Sequence, residues 1–482
     1  MSEITLTQMG NVVFIRPWIS GTPTFDDLAE ELTCERRVRS PLGYWTTVDQ
    51  PLYSVSTNDD GEEACITHGG LFDRIKRVLR AHKYKVRVVD KQKLLPDPDW
   101  TKLPPLRKRQ PEAIAAVISS NRGIIKCPTA FGKTFVIKTL CAMYPQLKIL
   151  VVSRLGRVTR NLYNNISEVV DGPVGKLFGS GPNCPEDSKV IVTTIKSLHK
   201  VPVTWPDVMF FDEVHNAGAC DAADNLCEFA KTKMFGFSAT PEGRGDNSDL
   251  VTEAFFGKPI CEVSYQEAES DGIVSSITVM FVNITIPEID IDGLTPMDKN
   301  KAGYWWNGVR NRLLLAKADE IYREDEAVLY YVENMEHALY LRMLIPGTPM
   351  AHGPVSKQRR KFFLKQGLIT PEDEDALKKP ELDKLEEDFK NGIVKRVICT
   401  PTWKEGVDFP DLAGLVRFDG GAGDIGSEQI PGRLSRIGTD GKKTHAIVID
   451  ALDNFGKRYR DRSLSRRRVY RKNGWKIVGW EK

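Results

Sequence analysis

The stretch Cys127-Pro-Thr-Ala-Phe-Gly-Lys-Thr134 narrows the possible folds of this chain more than any other. It follows the apolar run Gly123-Ile-Ile-Lys-Cys127 and precedes the helix-forming Phe-Val-Ile-Lys-Thr-Leu140. A strand, a turn ending in Gly-Lys-Thr and then a helix is the geometry of a phosphate-binding loop. The turn offers backbone N–H groups to phosphate, and the helix adds its positive N-terminal end. Thr129 and Gly132 belong to the cradle, and Gly132 admits close backbone approach. Lys133 is placed to set its ammonium between the β- and γ-phosphates of a nucleotide, and Thr134 to hold Mg²⁺ through its hydroxyl. Two positions depart from the usual pattern: Cys127 stands where glycine is first expected, and Ala130 replaces a common glycine. The plainer reading is an ordinary strand–turn–helix with a chance Gly-Lys-Thr.

Around this loop the chain alternates short apolar runs with helical stretches. Candidate strands are 123–127, 147–153, 189–194, 208–213 and 234–240, then 326–333, 396–400, 414–420 and 444–450. Near-continuous apolar strands separated by helices predict parallel sheets covered on both faces. The expected fold class is therefore α/β: two tandem parallel-sheet domains, a small α+β N-terminal domain and a basic C-terminal tail. The boundaries read 1–95, 96–265, 266–455 and 456–482. Within the first, Leu71, Ile75, Val78 and Leu79 fall at helical spacing and Lys-Val-Arg-Val-Val alternates like a strand. Residues 94–106 read as a Pro-rich linker, and 361–390 as a charged, solvated insertion.

Two further clusters carry chemistry. Asp212-Glu213-Val214-His215 closes the run Val-Met-Phe-Phe, at a strand end where ligands of α/β sheets bind. Asp212 is placed to hold Mg²⁺, and Glu213 to orient and activate water as the base in phosphoanhydride hydrolysis. Ser238-Ala-Thr240 ends another strand and either bonds these acids and His215 or simply caps the strand. Downstream, Thr400 ends a strand before Glu405-Gly406-Val407-Asp408, and Gln429-Ile-Pro-Gly-Arg433-Leu-Ser-Arg436 sets two arginines three apart, predicted to share one helix face. Such arginines stabilise charge on a transferred phosphoryl group; the ordinary alternative is a surface helix pairing them with nearby acids.

Composition sets outer bounds. With 482 residues, 41% hydrophobic and 28% charged, the chain reads as a soluble globular protein of roughly three domains. Lys plus Arg number 68 and Asp plus Glu 65, so the net charge of +3 says little about partners. No apolar run approaches the ~18 residues of a membrane span, and no secretion signal is seen at the start, so no membrane partner is expected. The nine cysteines form no CxxC pair, which suits a reduced, cytoplasmic protein without zinc.

In this order the motifs resemble those of superfamily 2 helicases, over about 105 to 455. Val151–Asn161 and Val192–Leu198 look like the family's nucleic-acid-contacting motifs, and Arg107 with Gln110 looks like its upstream adenine-reading element. Within the superfamily the chain looks most like XPB-type repair helicases and phage UvsW-type branch-migration helicases. The resemblance implies two RecA-like domains that use ATP and Mg²⁺, with Lys133, Thr134, Asp212, Glu213, Gln429, Arg433 and Arg436 acting on nucleotide and metal. It implies that Asp408 reaches the ribose, that Gly406 lies by the nucleotide, and that Arg154, Thr193, Thr194 and Thr400 line the nucleic-acid path.

The expected activity is ATP-dependent unwinding or remodelling of branched DNA, by a monomeric motor. The alternatives are a double-stranded DNA translocase of the restriction type, an RNA helicase, and a nucleic-acid clamp with a disabled ATPase; intact Lys133, Glu213 and Arg436 argue against the last. The C-terminal stripe, with Tyr459, Tyr470 and Trp475 among its arginines, reads as a DNA contact or as a helix docked on the motor. Tyr304, Trp305 and Trp306 beside Arg310 and Arg312 read as a strand-splitting wedge or as core.

Overall fold

Continuous apolar runs become fully buried strands. The computed structural model describes residues 3–39, 45–58, 60–154, 156–218, 220–243, 248–378, 380–403, 407, 409–438 and 443–480, without the side chains at 37, 39, 45, 220–222 and 424. The chain divides into two compact units: Met1–Pro128 with Gly132–Val263, and Thr129–Phe131 with Ser264–Lys482.

The first unit holds a seven-stranded sheet in the order Val174–Leu177, Val190–Thr194, Ile149–Ser153, Val208–Asp212, Lys233–Ser238, Gly123–Lys126, Pro259–Glu262. Every pairing in it is parallel. All five residues of Val208–Asp212 and of Ile149–Ser153 are buried, as a parallel strand covered on both faces requires.

The same unit carries a second, five-stranded sheet: Tyr53–Thr57, Glu63–His68, Val12–Trp18, Glu3–Met9, Lys85–Asp90. The helix expected near residue 71 is Phe72–Ala81, which buries Ile75, Val78 and Leu79 and turns its basic residues outward. This α+β module shares one apolar core with the parallel sheet, from Ile4, Leu6 and Leu79 through to Phe255 and Phe256. Polar contacts pin it as well: the Asn11 N–H donates to the Ala230 carbonyl, and Arg74 pairs with Glu253 at 2.7 Å. Gly70 lies so close to the Glu253 carbonyl that a Cβ would stand 1.9 Å from it. The N-terminal module therefore braces the parallel sheet. A separate hairpin, Thr33–Arg39 paired with Trp45–Pro51, also rises from it.

The second unit repeats the parallel plan: Met350–Ala351, Arg396–Cys399, Ala327–Tyr331, Leu412–Arg417, His445–Asp453, Ser276–Ile284, Lys476–Val478. The extended chain after residue 275 is thus a full strand, paired over nine residues with His445–Asp453.

Three expectations are corrected here. The aromatic-basic stretch is helical: Tyr304 and Trp305 are buried, Arg310 is fully buried against Asp453 at 2.7 Å, and only Trp306, 47% exposed, faces outward. It does not form a wedge of three aromatic rings. Residues 361–390 are no solvated insertion, because Phe363, Leu377 and Phe389 are buried. Charge dominates their composition, but apolar residues recur at helical spacing and decide the packing. In the tail, Tyr459, Tyr470 and Trp475 are buried, so the bases of a nucleic acid have no access to them. The helix Lys457–Lys472 docks through Arg466, which is fully buried and pairs with Asp450 at 2.9 Å, while Arg460, Arg468, Arg471 and Lys472 stay exposed.

Candidate nucleotide and nucleic-acid site

Strand order brings the chemistry to one edge. Gly123–Lys126, Lys233–Ser238, Val208–Asp212 and Ile149–Ser153 are consecutive neighbours and run parallel. Their carboxyl ends therefore deliver the loop from Cys127, Ser238, Asp212-Glu213 and Arg154 side by side, where open α/β sheets bind ligands.

The loop has the backbone a phosphate cradle needs. Gly132 takes φ +99° and caps the helix Lys133–Met143, and Ala130 takes φ +72°. Such left-handed values orient successive N–H groups into a concave nest. Gln110 is buried behind it: its Oε1 accepts from the Arg107 N–H at 3.0 Å, and its Nε2 would stand 2.7 Å from a Cβ at position 132. Arg107 itself is exposed.

Lys133 and Glu213 form an ion pair at 3.1 Å. Burial opposes charge on Lys133, but Glu213, Cys127 and Asp212 outweigh it and lift its pKa above the ordinary lysine value. Burial likewise opposes charge on Glu213, and Lys133 and His215 hold its carboxyl well below the usual range. His215 Nδ1 lies 3.4 Å from Glu213 Oε2 and 3.1 Å from Ser238 Oγ. Ser238 Oγ also accepts from the Thr240 N–H at 3.1 Å, so it caps the strand and reaches the acidic motif at once. Cys127, at the turn's first position, is buried, and burial pushes its thiol up to about 12.

Asp212 is buried at the strand end, and Thr134 is half-buried in the helix's first turn. A carboxylate and a hydroxyl are the hard oxygen donors that Mg²⁺ takes, so this donor set fits that ion.

On the second unit, Gln429 is buried in the helix Asp424–Gly432. The predicted shared helix face for the two arginines is corrected: Arg433 caps that helix and opens a 3₁₀ turn, and Arg436 follows it with extended backbone. Pro431 and Gly432 explain the early end, since proline removes one helical N–H and glycine costs helix stability. Arg433 Nη1 donates to the Val407 carbonyl. Gly406 and Asp408 lie outside the described residues.

Of the four residues assigned to a nucleic-acid path, Arg154 is exposed and Thr194 half-buried. Thr193 and Thr400 are turned inward: Thr193 Oγ1 donates to the Leu177 carbonyl at 3.0 Å, and Thr400 Oγ1 to the Ala351 carbonyl at 3.0 Å. In this structure neither hydroxyl is presented to a ligand. Strand alternation separates Thr193 from Thr194, a distinction the pair Thr-Thr conceals. Sequence reasoning passed over Asn216, whose side chain touches both Arg154 and Glu213. Its position directly after Asp-Glu-Val-His is the signal that pointed to it.

The family model described as type III restriction enzyme, res subunit, matches residues 103–243. The DNA 3′–5′ translocase XPB2 of Sulfurisphaera tokodaii is 26% identical over 382 residues, covering 75% of this chain and 84% of that protein. Among solved structures, a fragment of a putative HsdR subunit of a type I restriction enzyme from Vibrio vulnificus YJ016 matches at a TM-score of 0.52 and 17% identity, over 95% of this chain and 90% of that one. UvsW of T4 covers 99% of each chain at 17% identity and a TM-score of 0.44. The family match spans the stretch in which the phosphate loop and the acidic strand end meet, and the whole chain repeats the parallel-sheet plan twice: this is an ATP-driven superfamily 2 helicase on two RecA-like units.

Proposed function

We propose that the chain couples ATP hydrolysis to the unwinding or remodelling of branched DNA such as forks, Holliday junctions and R-loops. The observation that carries the ATPase half is the Lys133–Glu213–His215–Ser238 cluster at the carboxyl edge of the first sheet. Nucleotide phosphates compete with Glu213 for the Lys133 ammonium, which leaves the Glu213 carboxylate to orient and accept a proton from water. Thr134 and Asp212 hold Mg²⁺, which offsets charge on the β- and γ-phosphates. Gln110 and Arg107 take the adenine side, with Thr129 and Gly132 on the phosphates. Gln429, Arg433 and Arg436 act on the nucleotide, the arginines at the transferred phosphoryl group. Asp408 and Gly406 complete the set.

The DNA half is supported by the printed activity of the Sulfurisphaera relative, a DNA translocase, and by exposed Arg154 at the sheet edge. We assign the chain the same 3′–5′ direction and place it in a reducing, cytoplasmic setting as a monomeric motor. A double-stranded DNA translocase of the restriction type is the second reading, favoured by the family match over 103–243. Strand displacement on a four-way junction, a fork, an R-loop and a linear duplex separates the two. Displacement from the branched forms, fastest there, supports remodelling. Movement that displaces a triplex-forming strand from plain duplex, with no separation of the branched forms, favours the translocase.

A further inference from the structure

A three-member contact joins the edge of the first sheet to the candidate base. Arg154 follows the strand Ile149–Ser153 and is exposed. Its Nη1 donates to Asn216 Oδ1 at 3.1 Å. The same Asn216 donates twice to the Glu213 carbonyl, from its backbone N–H at 2.9 Å and from Nδ2 at 3.2 Å. Asn216 is 3% exposed, so its amide is confined to one orientation, with the oxygen toward Arg154 and the nitrogen toward Glu213.

The Glu213 end is under tension. Its φ of +54° is left-handed, a conformation that costs a non-glycine residue roughly 1–2 kcal/mol. The peptide holding the carboxylate therefore keeps its place only while its surroundings hold it there. The far end of the same turn is fixed. Arg36, buried, donates through Nη2 to the Gly218 carbonyl and through Nη1 to Gln50, each at 2.8 Å. A displacement entering at Asn216 is thus blocked toward Gly218 and passes toward Glu213.

We propose that Asn216 is a positioning residue that couples nucleic acid at Arg154 to the catalytic setting of Glu213. A phosphate that engages the Arg154 guanidinium draws on the Asn216 amide oxygen and re-aims the Glu213 peptide. This inference rests on the functional reading above, in which Arg154 meets DNA and Glu213 acts on water. The bland alternative, an asparagine that merely closes a 3₁₀ turn, accounts for the bond to Glu213 but not for the one to Arg154.

The test measures ATP turnover of the full chain with and without a forked DNA, together with DNA affinity by fluorescence anisotropy and thermal melting. Asn216→Ala is expected to cut the stimulation ratio at saturating DNA by at least fivefold while DNA affinity changes less than twofold. Arg154→Ala is expected to lose both affinity and stimulation, and the double variant to be no less stimulated than Arg154→Ala alone. Asn216→Asp keeps an acceptor for Arg154 but loses the Nδ2 donor to Glu213; it serves if the alanine variant melts early, and is expected to lose stimulation too. Stimulation preserved in both Asn216 variants, or additive losses in the double variant, overturns the coupling. A wild-type protein whose turnover ignores every nucleic acid overturns the functional reading instead, and the two failures are read from different lanes of one experiment.

Discussion

At the residue scale, the phosphate loop departs from its pattern at two places and the structure separates them. Cys127 is small, buried and held as a thiol, its pKa pushed up to about 12. Iodoacetamide at pH 8 should therefore label exposed Cys184 and spare Cys127, Cys141 and Cys399 in the folded protein; peptide mapping that finds Cys127 alkylated first would contradict this burial. Ala130 instead carries strain, since φ +72° is glycine's territory. Ala130→Gly is expected to stabilise the chain by about 1 kcal/mol, read as a higher melting temperature, and a lower one would show that the methyl group packs usefully. Lys133→Ala is expected to abolish ATP turnover, because no other ammonium of the loop reaches its place; normal turnover would remove the loop from the site. These positions were legible because Gly-Lys-Thr after an apolar run constrains backbone and charge together. The tie of Asn216 to Glu213 was not, because it depends on a left-handed glutamate that no residue type announces.

At the element scale, strands were readable and the fate of charged helices was not. A buried parallel strand needs an unbroken apolar run, and each one of at least four residues named in advance is present within two or three residues of its expected ends. The helix Lys457–Lys472 shows the opposite case. Its arginines suggested a solvated stripe, yet Arg466 is buried between Asp450 and Asp453, and Arg417 nearby pairs with Asp419 at 2.7 Å. Whether an arginine faces water or a carboxylate far along the chain depends on tertiary pairing. Removing one partner of such a buried pair leaves the other uncompensated, so Arg466→Ala should cost about 3–5 kcal/mol; chemical denaturation showing less than 1 kcal/mol would indicate that water relieves Asp450. Arg436→Ala belongs to the same scale, since it sits just past a helix end. It should lower kcat by ~10³ or more, the range for arginine fingers, while DNA affinity and melting temperature hold. A matching loss of DNA affinity would make it a structural or binding residue.

At the scale of the whole molecule, three histidines set a common response to acid. Burial, with Arg122 adding, lowers His68 to about 4; burial with Arg310 lowers His337 well below its ordinary value; burial with Arg342 lowers His352. Each is neutral in the folded chain but binds a proton in the unfolded chain below about pH 6.5. The unfolded state then holds more protons, so stability falls as pH drops from about 6.5 toward 4, by up to about 1.4 kcal/mol per pH unit for each group. Melting temperatures between pH 7.5 and 5 should decline accordingly, and a flat or rising profile would contradict the neutral buried state. The α/β class and the two parallel sheets were legible at this scale from strand spacing alone. The shared core of the N-terminal module and the first sheet was not, because its contacts join residues more than two hundred positions apart.

The central claim is that a nucleic-acid-driven ATPase lies behind these motifs, and steady-state ATP turnover with Mg²⁺ tests it most directly. The protein is assayed alone and with single-stranded DNA, linear duplex, a four-way junction, an R-loop and RNA. The account predicts low turnover alone and the strongest stimulation by the branched DNA forms. Turnover stimulated only by RNA, or no hydrolysis with any of them, would contradict it.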